Sequence, residues 1–339
     1  MTAPALDVDV IQQADALFEQ GRIREAIAAL TTANRSRRSA RIEQRLVEVR
    51  HTGFDMLERS DVQVPERVTA VAASGLLPEH RLEDLDVTTL RSGLAEHGCV
   101  LVRGLVDRQE AVELATGIDR AIDGFDRFET DDPSDPAWHT PFVPKPGAYR
   151  VGGRRTWVRA TGAVWTADSP RMLFELTELL ERTGIRDLVA RYFGERPALS
   201  ANKCTLRRVP LSSMAGWHQD GSFLGQEVRS LNLWLALTDG SGVDAPGMDI
   251  VPRRIDRIVE TGTEGAIFDW SVSPDVVEQE AVNAPVVRPT FDAGDALLFD
   301  HLLLHSTAVT DEMTRERHAM ETWMFAPSAY PEGQIPLVL

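Results

Sequence analysis

The sequence predicts an α+β protein with helices in its N-terminal half and a strand-rich C-terminal half. Residues 8–50 carry apolar side chains at helical spacing, and residues 168–193 repeat this pattern. From about residue 198 onward, short apolar or alternating runs bounded by Gly, Pro and Asp predict strands. Because no regular helices separate these runs, an antiparallel sandwich or jelly roll is favoured over a parallel βαβ sheet.

The composition is typical of a globular protein that can bury a sizeable core. The chain has 339 residues, of which 43% are hydrophobic and 26% charged, and this length fits one large domain or two smaller ones. Its formal net charge of −16 argues against a general nucleic-acid binder, which needs a basic surface for phosphates. We therefore expect no nucleic acid as a partner.

The cysteines and the first residues favour a cytoplasmic location. Cys99 and Cys204 lack the spacing of a disulfide framework or of a Cys-type zinc site, which fits buried reduced thiols. The first residues lack the basic and apolar regions of a signal peptide. No apolar run approaches the roughly 20 residues that a membrane helix needs. The sequence thus predicts a cytoplasmic protein without a membrane partner, and it leaves the oligomeric state open.

The N-terminal region resembles one helical hairpin of the tetratricopeptide type. Its apolar periodicity is broken at Gly21 and resumes at Ile23. Stable solenoids need about three or more repeats, and only one is visible. We therefore expect the hairpin to pack on the main domain, with recruitment of a partner as the alternative.

Residues 86–193 read as helices around one strand. Asp86 is a helix cap, Gly98 ends that helix, and residues 99–102 form a short apolar strand before a helix over 107–124. The Pro- and Gly-rich stretch 130–155 is a long loop of the kind that often forms lids. Helix resumes over 168–193.

The C-terminal half contains the predicted strands of the sandwich. They are 199–208, 228–238, 247–251, 286–290, 296–299, 302–307 and 318–326. The long segment 252–285 interrupts them and is a second candidate lid.

The run Gly216–Phe223 contains a His-x-Asp pair. On a strand, residues two apart point to the same side, so His218 and Asp220 would present an imidazole nitrogen and a carboxylate oxygen to one point. With one further His they form the facial triad that holds Fe(II) and leaves open positions. Taken alone, the pair is close to chance.

The third ligand is sought in a buried run that carries two histidines, His301 and His305. We favour His305, because it lies where the apolar run ends and is followed by small polar residues. This is the position expected of a site residue at the end of a strand. His301 beside Asp300 fits a turn or rim position. Further on, Arg315 and Arg317 are candidates for a two-pronged ion pair with a carboxylate, and a surface salt bridge is the plainer reading.

Together these motifs resemble the phytanoyl-CoA dioxygenase family. The resemblance covers roughly residues 85–330 and rests on Trp-His218-x-Asp220-Gly, the strand 231–239, Gly-Asp before Leu-Leu-His305, and Arg317-x-Ala. It implies a double-stranded β-helix (jelly-roll) core flanked by helices. It also implies an oxygenase that uses Fe(II) with the co-substrates 2-oxoglutarate and O2. We accordingly expect a helical region over 1–84 and an oxygenase domain over 85–339.

The resemblance implies roles for individual residues. His218, Asp220 and His305 would bind the iron. Arg317 matches the family's 2-oxoglutarate-binding Arg, if one residue is inserted in the preceding turn, and Arg315 stays possible. Two hydroxyl positions also match residues that support or contact this co-substrate, and they are Thr307 and Thr205.

The expected activity is hydroxylation of a small-molecule metabolite, with release of succinate and CO2. Asp220 argues against halogenation, because related halogenases carry a small residue in its place to admit chloride. Two alternatives stay open from the residues themselves: a zinc or other divalent-metal hydrolase on a cupin-like barrel, and a non-catalytic binding protein. Substrate identity, and hydroxylation as opposed to desaturation or cyclisation, are not readable from the sequence.

Overall fold

The structure, a computed structural model, describes residues 3–57, 65–72, 77–146, 154–213 and 216–339. In these residues, helices cover a nine-stranded sheet, and a two-stranded sheet forms a smaller second layer. None of the helices in the described ranges is both long and apolar enough to span a membrane.

Three helices, rather than the two of a hairpin, form the N-terminal region: α1 (Ala3–Glu19), α2 (Ile23–Ser36) and α3 (Ala40–Thr52). Gly21, at φ 75°, lies in the turn between α1 and α2, where the sequence pattern is broken. The helices share an apolar cluster with residues from the rest of the chain: Ile23, Leu30, Ile42, Leu46, Phe174 and Val338. The helical region therefore contacts the main body through this cluster, whereas the domain division at residue 84 and the role of the helices stay predictions.

The first strand unit follows the sequence prediction closely. A short strand β1 (Glu79–Arg81) precedes α4 (Val87–His97), and Asp86 caps α4 by accepting a hydrogen bond from Thr89 N at 2.7 Å. Gly98, at φ 71°, ends α4 in the left-handed conformation that favours glycine. The chain then enters β2 (Cys99–Arg103), which pairs with β1 and with a strand from the C-terminal half.

The helices that cover the large sheet are amphipathic. These helices are α5 (Arg108–Glu129), α6 (Arg154–Ala160), α7 (Pro170–Arg182) and α8 (Ile185–Phe193). The short strand β3 (Ala163–Trp165) lies between α6 and α7 in the sequence. The helix predicted over 168–193 is thus two helices, because Gly184 at φ 73° ends the first. Of the predicted loop 130–155, residues 147–153 lie outside the described residues.

The C-terminal half supplies most strands and two short helices. They are β4 (Ala198–Ser200), β5 (Thr205–Val209), α9 (Gly221–Leu224), β6 (Ser230–Ala236), β7 (Gly247–Ile250), α10 (Pro274–Glu280), β8 (Ala296–Phe299), β9 (His305–Ala308), β10 (Arg317–Phe325) and β11 (Pro336–Val338). The prediction for 199–208 merged two strands that a turn separates. The predicted strand 286–290 is reduced to a single β-bridge between Val287 and Ile250.

The two layers face each other as in a jelly roll. The large sheet has the order β1-β2-β8-β6-β10-β4-β11, and β5 pairs with β10 and β3. The small layer consists of β7 and β9, and the bridge between His218 and His305 extends it. Every residue of β6 is buried, because helices cover one face of the sheet and the small layer covers the other.

Candidate metal centre and co-substrate pocket

Two of the predicted ligands, far apart in sequence, are paired through their main chains. His218 N donates to His305 O at 2.9 Å, and His305 N donates to His218 O at 3.0 Å. His305 begins β9, as expected for a ligand at a strand end. Asp220 lies in a helical turn (φ −62°, ψ −20°) at the start of α9, so a turn rather than strand alternation brings it beside His218.

The three side chains form a compact ligand set. One ligand atom from each of His218, Asp220 and His305 lies within 4.8 Å of the other two. The imidazole rings of the two histidines have centroids 4.4 Å apart, and His305 Nε2 lies 3.8 Å from Asp220 Oδ2. Two imidazoles and one carboxylate are the donor set of the facial triad that suits Fe(II), and these residues therefore fit the metal.

The outer hydrogen bonds of both histidines orient them for this role. Nδ1 of His218 lies 2.9 Å from the carbonyl oxygen of Gly216, and Nδ1 of His305 lies 3.0 Å from that of Leu303. A carbonyl can only accept, so each Nδ1 carries the proton and each Nε2 presents a free lone pair. This arrangement of backbone acceptors behind ligating imidazoles is usual in protein metal sites.

The local electrostatics favour the metal-binding protonation states of His218 and Asp220. Burial lowers the pKa of His218 to about 4, and the neighbouring His305 adds to the shift. Burial alone would raise the pKa of Asp220, but Lys203 and the two imidazoles outweigh it and lower that pKa. A neutral imidazole and an ionised carboxylate are therefore both present near neutral pH.

His301 lies outside this set of three side chains. Its Nδ1 is 2.9 Å from Ser230 Oγ, and its Nε2 is 3.3 Å from the carbonyl oxygen of Gln226. Both ring nitrogens thus have partners in the protein, which is what a structural histidine needs.

Lys203 is a site residue that the sequence analysis missed. Its Nζ donates to Asp220 Oδ1 at 2.8 Å and lies over the rings of Phe223 and Trp323, 5.2 and 5.8 Å from their centroids. One signal was available: Lys and Arg together number 36, yet Lys145 and Lys203 are the only lysines in the chain. Because nearly all the basic residues of this chain are arginines, the presence of a lysine at position 203 is a signal that a compact ammonium group is needed there.

Aromatic side chains from two segments border the triad. Trp270 meets the His218 ring edge-on at a centroid distance of 5.6 Å, and it stacks on Phe268 at 4.9 Å. Phe223, which is 47% exposed, lies 5.6 Å from Trp270. The segment 252–285, predicted as a lid, therefore supplies part of an apolar wall beside the predicted metal ligands.

Arg317 points into the interior of the jelly roll. It is 2% exposed, its Nη1 donates to the carbonyl oxygens of Gly247 (2.6 Å) and Pro246 (3.2 Å), and its guanidinium lies over Trp234. Among the described residues, its Nε is a buried donor without an acceptor. Burial, together with nearby Arg207, lowers the pKa of Arg317 to about 9. A buried cation with an unused donor fits a bound carboxylate.

Alternation along β10 places Arg317 on the side of the triad. Arg317, Glu321 and Trp323 share one face of the strand. Trp323 meets Phe299 at a centroid distance of 6.0 Å, and the Phe299 ring lies 5.1 Å from that of His305. The guanidinium and the triad thus border the same interior.

Arg315, the other co-substrate candidate, lies at the surface. It is exposed, and its Nη2 contacts Asp244 Oδ1 at 2.7 Å and the carbonyl oxygen of Asp239 at 2.6 Å. This is the surface salt bridge that the sequence analysis gave as the plainer reading for these arginines.

The two hydroxyl candidates lie in different layers of the fold, on β9 of the small sheet and on β5 of the large sheet. Thr307 lies on β9 beside Ala308, which pairs with Gly247, an acceptor of Arg317. Thr205 lies on β5, where its Oγ1 donates to Glu321 Oε2 at 2.9 Å. Glu321 also accepts from Arg207 Nη1 at 2.8 Å, and the Arg207 Nε is, like that of Arg317, a buried donor without an acceptor among the described residues. The sequence analysis missed Arg207 and Glu321, because only strand pairing brings them together.

Comparisons with known proteins agree with this geometry. The family model for phytanoyl-CoA dioxygenase (PhyH) matches residues 94–315, about two thirds of the chain. Among curated proteins, no sequence matches the chain significantly.

Three solved structures are similar to this chain at low sequence identity, and the first of them shares its fold. The apo form of EctD from S. alaskensis is 15% identical, with a TM-score of 0.51, over 81% of this chain and 88% of that one. The carbocyclase SnoK from nogalamycin biosynthesis is 17% identical, with a TM-score of 0.47, over 73% and 87%. AviO1 from Streptomyces viridochromogenes Tue57 is 19% identical, with a TM-score of 0.44, over 73% and 98%.

These findings confirm the predicted jelly-roll fold and the resemblance of the chain to the phytanoyl-CoA dioxygenase family. They favour an oxygenase that depends on Fe(II), 2-oxoglutarate and O2 over the zinc hydrolase and the non-catalytic binding protein. The chain belongs to the phytanoyl-CoA dioxygenase family and is a non-haem Fe(II)- and 2-oxoglutarate-dependent oxygenase.

Proposed function

We propose that this enzyme hydroxylates a small-molecule metabolite at an iron held by His218, Asp220 and His305, and that Arg317 anchors 2-oxoglutarate. The observation that carries this proposal is the convergence of three ligand atoms within 4.8 Å. When bound, the iron and 2-oxoglutarate supply oxidation of a substrate C–H bond by O2, with release of succinate and CO2.

The residues of the chain position the reactants and exclude water. The carbonyl oxygens behind each Nδ1 fix the planes of the two imidazoles. Lys203 occupies one carboxylate oxygen of Asp220 and leaves the other toward the histidines. In this proposal the unused Nε–H of Arg317 would donate to the distal carboxylate of 2-oxoglutarate. Thr205 lies on β5, which pairs with β10, and Thr307 lies on β9 of the small sheet.

The carboxylate at position 220 supports hydroxylation rather than halogenation. It fills the place that a halide needs in the related halogenases, and it is held there by an ion pair with Lys203 at 2.8 Å. The aromatic wall of Phe223, Phe268 and Trp270 suits a substrate with an apolar portion next to the reacting carbon.

The test is oxygen-dependent formation of succinate in the presence of Fe(II), screened over classes of small metabolites. A hydroxylated product with one added oxygen is expected from the substrate that couples best. We expect His218→Ala and Asp220→Ala to abolish both succinate formation and the visible absorption of the anaerobic Fe(II)–2-oxoglutarate complex.

The matched control is His318→Gln. His318 is a part-buried histidine whose Nε2 lies 2.9 Å from Asp119, on the opposite face of β10 from Arg317. This variant should retain the absorption and the activity. Unchanged succinate formation in the two triad variants would refute the ligand assignment, and a halogenated or desaturated product would refute hydroxylation alone.

A further inference from the structure

A basic cavity lies between the N-terminal helices and the main body, away from the triad. It has a volume of about 250 Å³ and is bordered by α2, α3, α7 and α8. Its charged lining side chains are five arginines and one carboxylate, Arg24, Arg35, Arg50, Arg186, Arg196 and Glu181, and the lining also includes Leu339, the last residue of the sequence. In a chain whose formal net charge is −16, this is a local excess of positive charge.

Two of these arginines are neutralised by neighbours. Arg35 Nε lies 2.6 Å from Glu178 Oε2, and Arg186 Nη1 lies 3.3 Å from Glu181 Oε2. In contrast, no side-chain or terminal carboxylate of the described residues lies within 4 Å of Arg24, Arg50 or Arg196. Among the described residues these three guanidinium groups thus lack a carboxylate in direct contact, although Glu178 and Glu181 attract Arg50, and Glu181 and Asp187 attract Arg196, from further away.

Arg50 is the central member of this group. It is only 6% exposed, and within the part of the chain that the structure describes its one hydrogen bond runs from Nη1 to the carbonyl oxygen of Val338 at 2.7 Å. A second polar group at the cavity is also unused, since Thr31 is 9% exposed and its Oγ1 is buried without a partner. Buried polar groups in proteins are generally paired, and an unpaired buried charge is costly.

The electrostatics of the cavity are those of a site that needs an anion. Burial and repulsion from Arg196 lower the pKa of Arg50 to about 10. Partial burial of the largely exposed Arg196, together with repulsion from Arg186 and Arg24, likewise lowers its pKa. An anion between these groups would relieve the repulsion and satisfy the free N–H donors.

We propose that this cavity binds a small oxyanion that carries two or more negative charges, either a phosphate or a dicarboxylate. The anion joins α2, through Arg24, to α3 through Arg50 and to the main body through Arg196. It therefore holds the N-terminal helices on the oxygenase. Nothing in this proposal depends on the iron ligands or on the substrate.

The experiment uses the metal-free, full-length protein at constant ionic strength. Inorganic phosphate and malonate are each titrated by calorimetry and by thermal unfolding, with chloride as the monovalent control. Binding to the folded state raises the melting temperature with anion concentration. The two arms separate a phosphate site from a dicarboxylate site.

The variants are chosen so that folding is preserved. Arg196→Ala and Arg24→Ala remove exposed side chains, and each should weaken anion binding about 10-fold, as loss of a charged hydrogen bond does. The double variant should lose binding. Arg127→Ala removes an exposed arginine of α5 away from the cavity, and this variant should bind both anions as the unaltered protein does. Arg317→Met should also bind them unchanged, and it shows whether the malonate signal comes from the co-substrate pocket.

Two results would overturn the proposal. One is a melting temperature that phosphate and malonate raise no more than chloride does. The other is an Arg24→Ala, Arg196→Ala double variant that binds either anion as tightly as the unaltered protein.

Discussion

Lys203 Nζ and Asp220 Oδ1 form an ion pair of 2.8 Å, whereas Asp220 Oδ2 faces His305 Nε2 at 3.8 Å. The two oxygens of one carboxylate thus have separate tasks. One is held by an ammonium group, and the other points to the place where the three predicted ligands converge. If Asp220 holds the metal as proposed, Lys203 fixes its carboxylate so that a single oxygen faces the ion.

Replacing Lys203 by Met should impair the metal centre without unfolding the protein. The substitution leaves Asp220 Oδ1 without its donor, so the carboxylate loses its fixed orientation. Loss of such an outer partner lowers metal affinity or activity about 10- to 100-fold. Anaerobic titration with Fe(II) and the rate of succinate formation are the measurements.

Lys145 provides the control for this prediction, since it is the only other lysine. It is exposed and its Nζ lies 3.1 Å from Asp55. Lys145→Met should leave iron affinity and turnover unchanged. Equal losses in the two lysine variants would contradict the role given to Lys203.

Arg317→Met should raise the KM for 2-oxoglutarate on the order of 100-fold, because a two-pronged, charge-assisted contact is lost. Iron binding should persist, since Arg317 makes no contact with the triad. The measurement is the dependence of succinate formation on 2-oxoglutarate concentration.

Arg315→Met is the matched control, two positions away and paired with Asp244 at the surface. Its KM for 2-oxoglutarate should stay within about twofold of the original value, as surface ion pairs contribute little. If Arg315→Met raised the KM and Arg317→Met did not, the assignment of the anchor would be reversed.

His51 should make stability depend on pH. Its Nδ1 lies 3.0 Å from the carbonyl oxygen of Pro336, and its Nε2 accepts from Lys145 N at 3.0 Å, so the ring is held neutral. Burial lowers the pKa of His51 below the value of about 6.5 that it has in an unfolded chain. The unfolded state therefore binds the proton more readily, and this contribution to stability is present above about pH 6.5 and is lost as the pH falls below it.

The measurement is the free energy of unfolding by urea between pH 7.5 and 5, at a fixed metal content. Between about pH 6.5 and 5, the slope for the original protein should exceed that of His51→Gln by up to about 1.4 kcal/mol per pH unit, the limit for one proton. Parallel pH profiles for the two proteins would show that His51 does not titrate as inferred.

Phe174→Ala should weaken the attachment of the N-terminal helices. Phe174 is a buried residue of α7 that joins the apolar cluster of α1–α3, and the guanidinium of Arg38 lies 4.4 Å from its ring centroid. Removing a buried Phe costs about 3–5 kcal/mol of unfolding free energy. Phe128→Ala, at a half-exposed position of α5, should cost much less, and equal losses would contradict the interpretation of the cluster.

The sequence predicted best where local chemistry decides the structure. The cap at Asp86, the glycine at 98 and the strand that follows were all correct, because capping and apolar runs act over a few residues. The helix over 168–193 and the strand over 199–208 were each drawn too long. In both, a turn interrupts an apolar pattern that continues on either side of it.

The candidate site likewise divides into residues that could be predicted from the sequence and residues that could not. A His-x-Asp pair, a distal His and an Arg are readable from spacing and resemblance. The contacts of Lys203, Arg207 and Glu321 are not, since they depend on which strands lie side by side. Arg315 and Arg317 are two residues apart in the sequence. Arg315 lies in a surface turn and Arg317 is buried, because β10 begins at Arg317.

The reciprocal hydrogen bonds between the main chains of His218 and His305 bear on whether the enzyme stays folded after it loses its metal. The two histidines are brought together by the backbone, so arrival of the metal does not have to order them. An enzyme whose iron has been oxidised and lost should therefore keep its folded shape and accept fresh Fe(II) without refolding. Inactivation by metal loss would then be a reversible interruption of activity, unlike in small metal-dependent domains that unfold when the ion leaves.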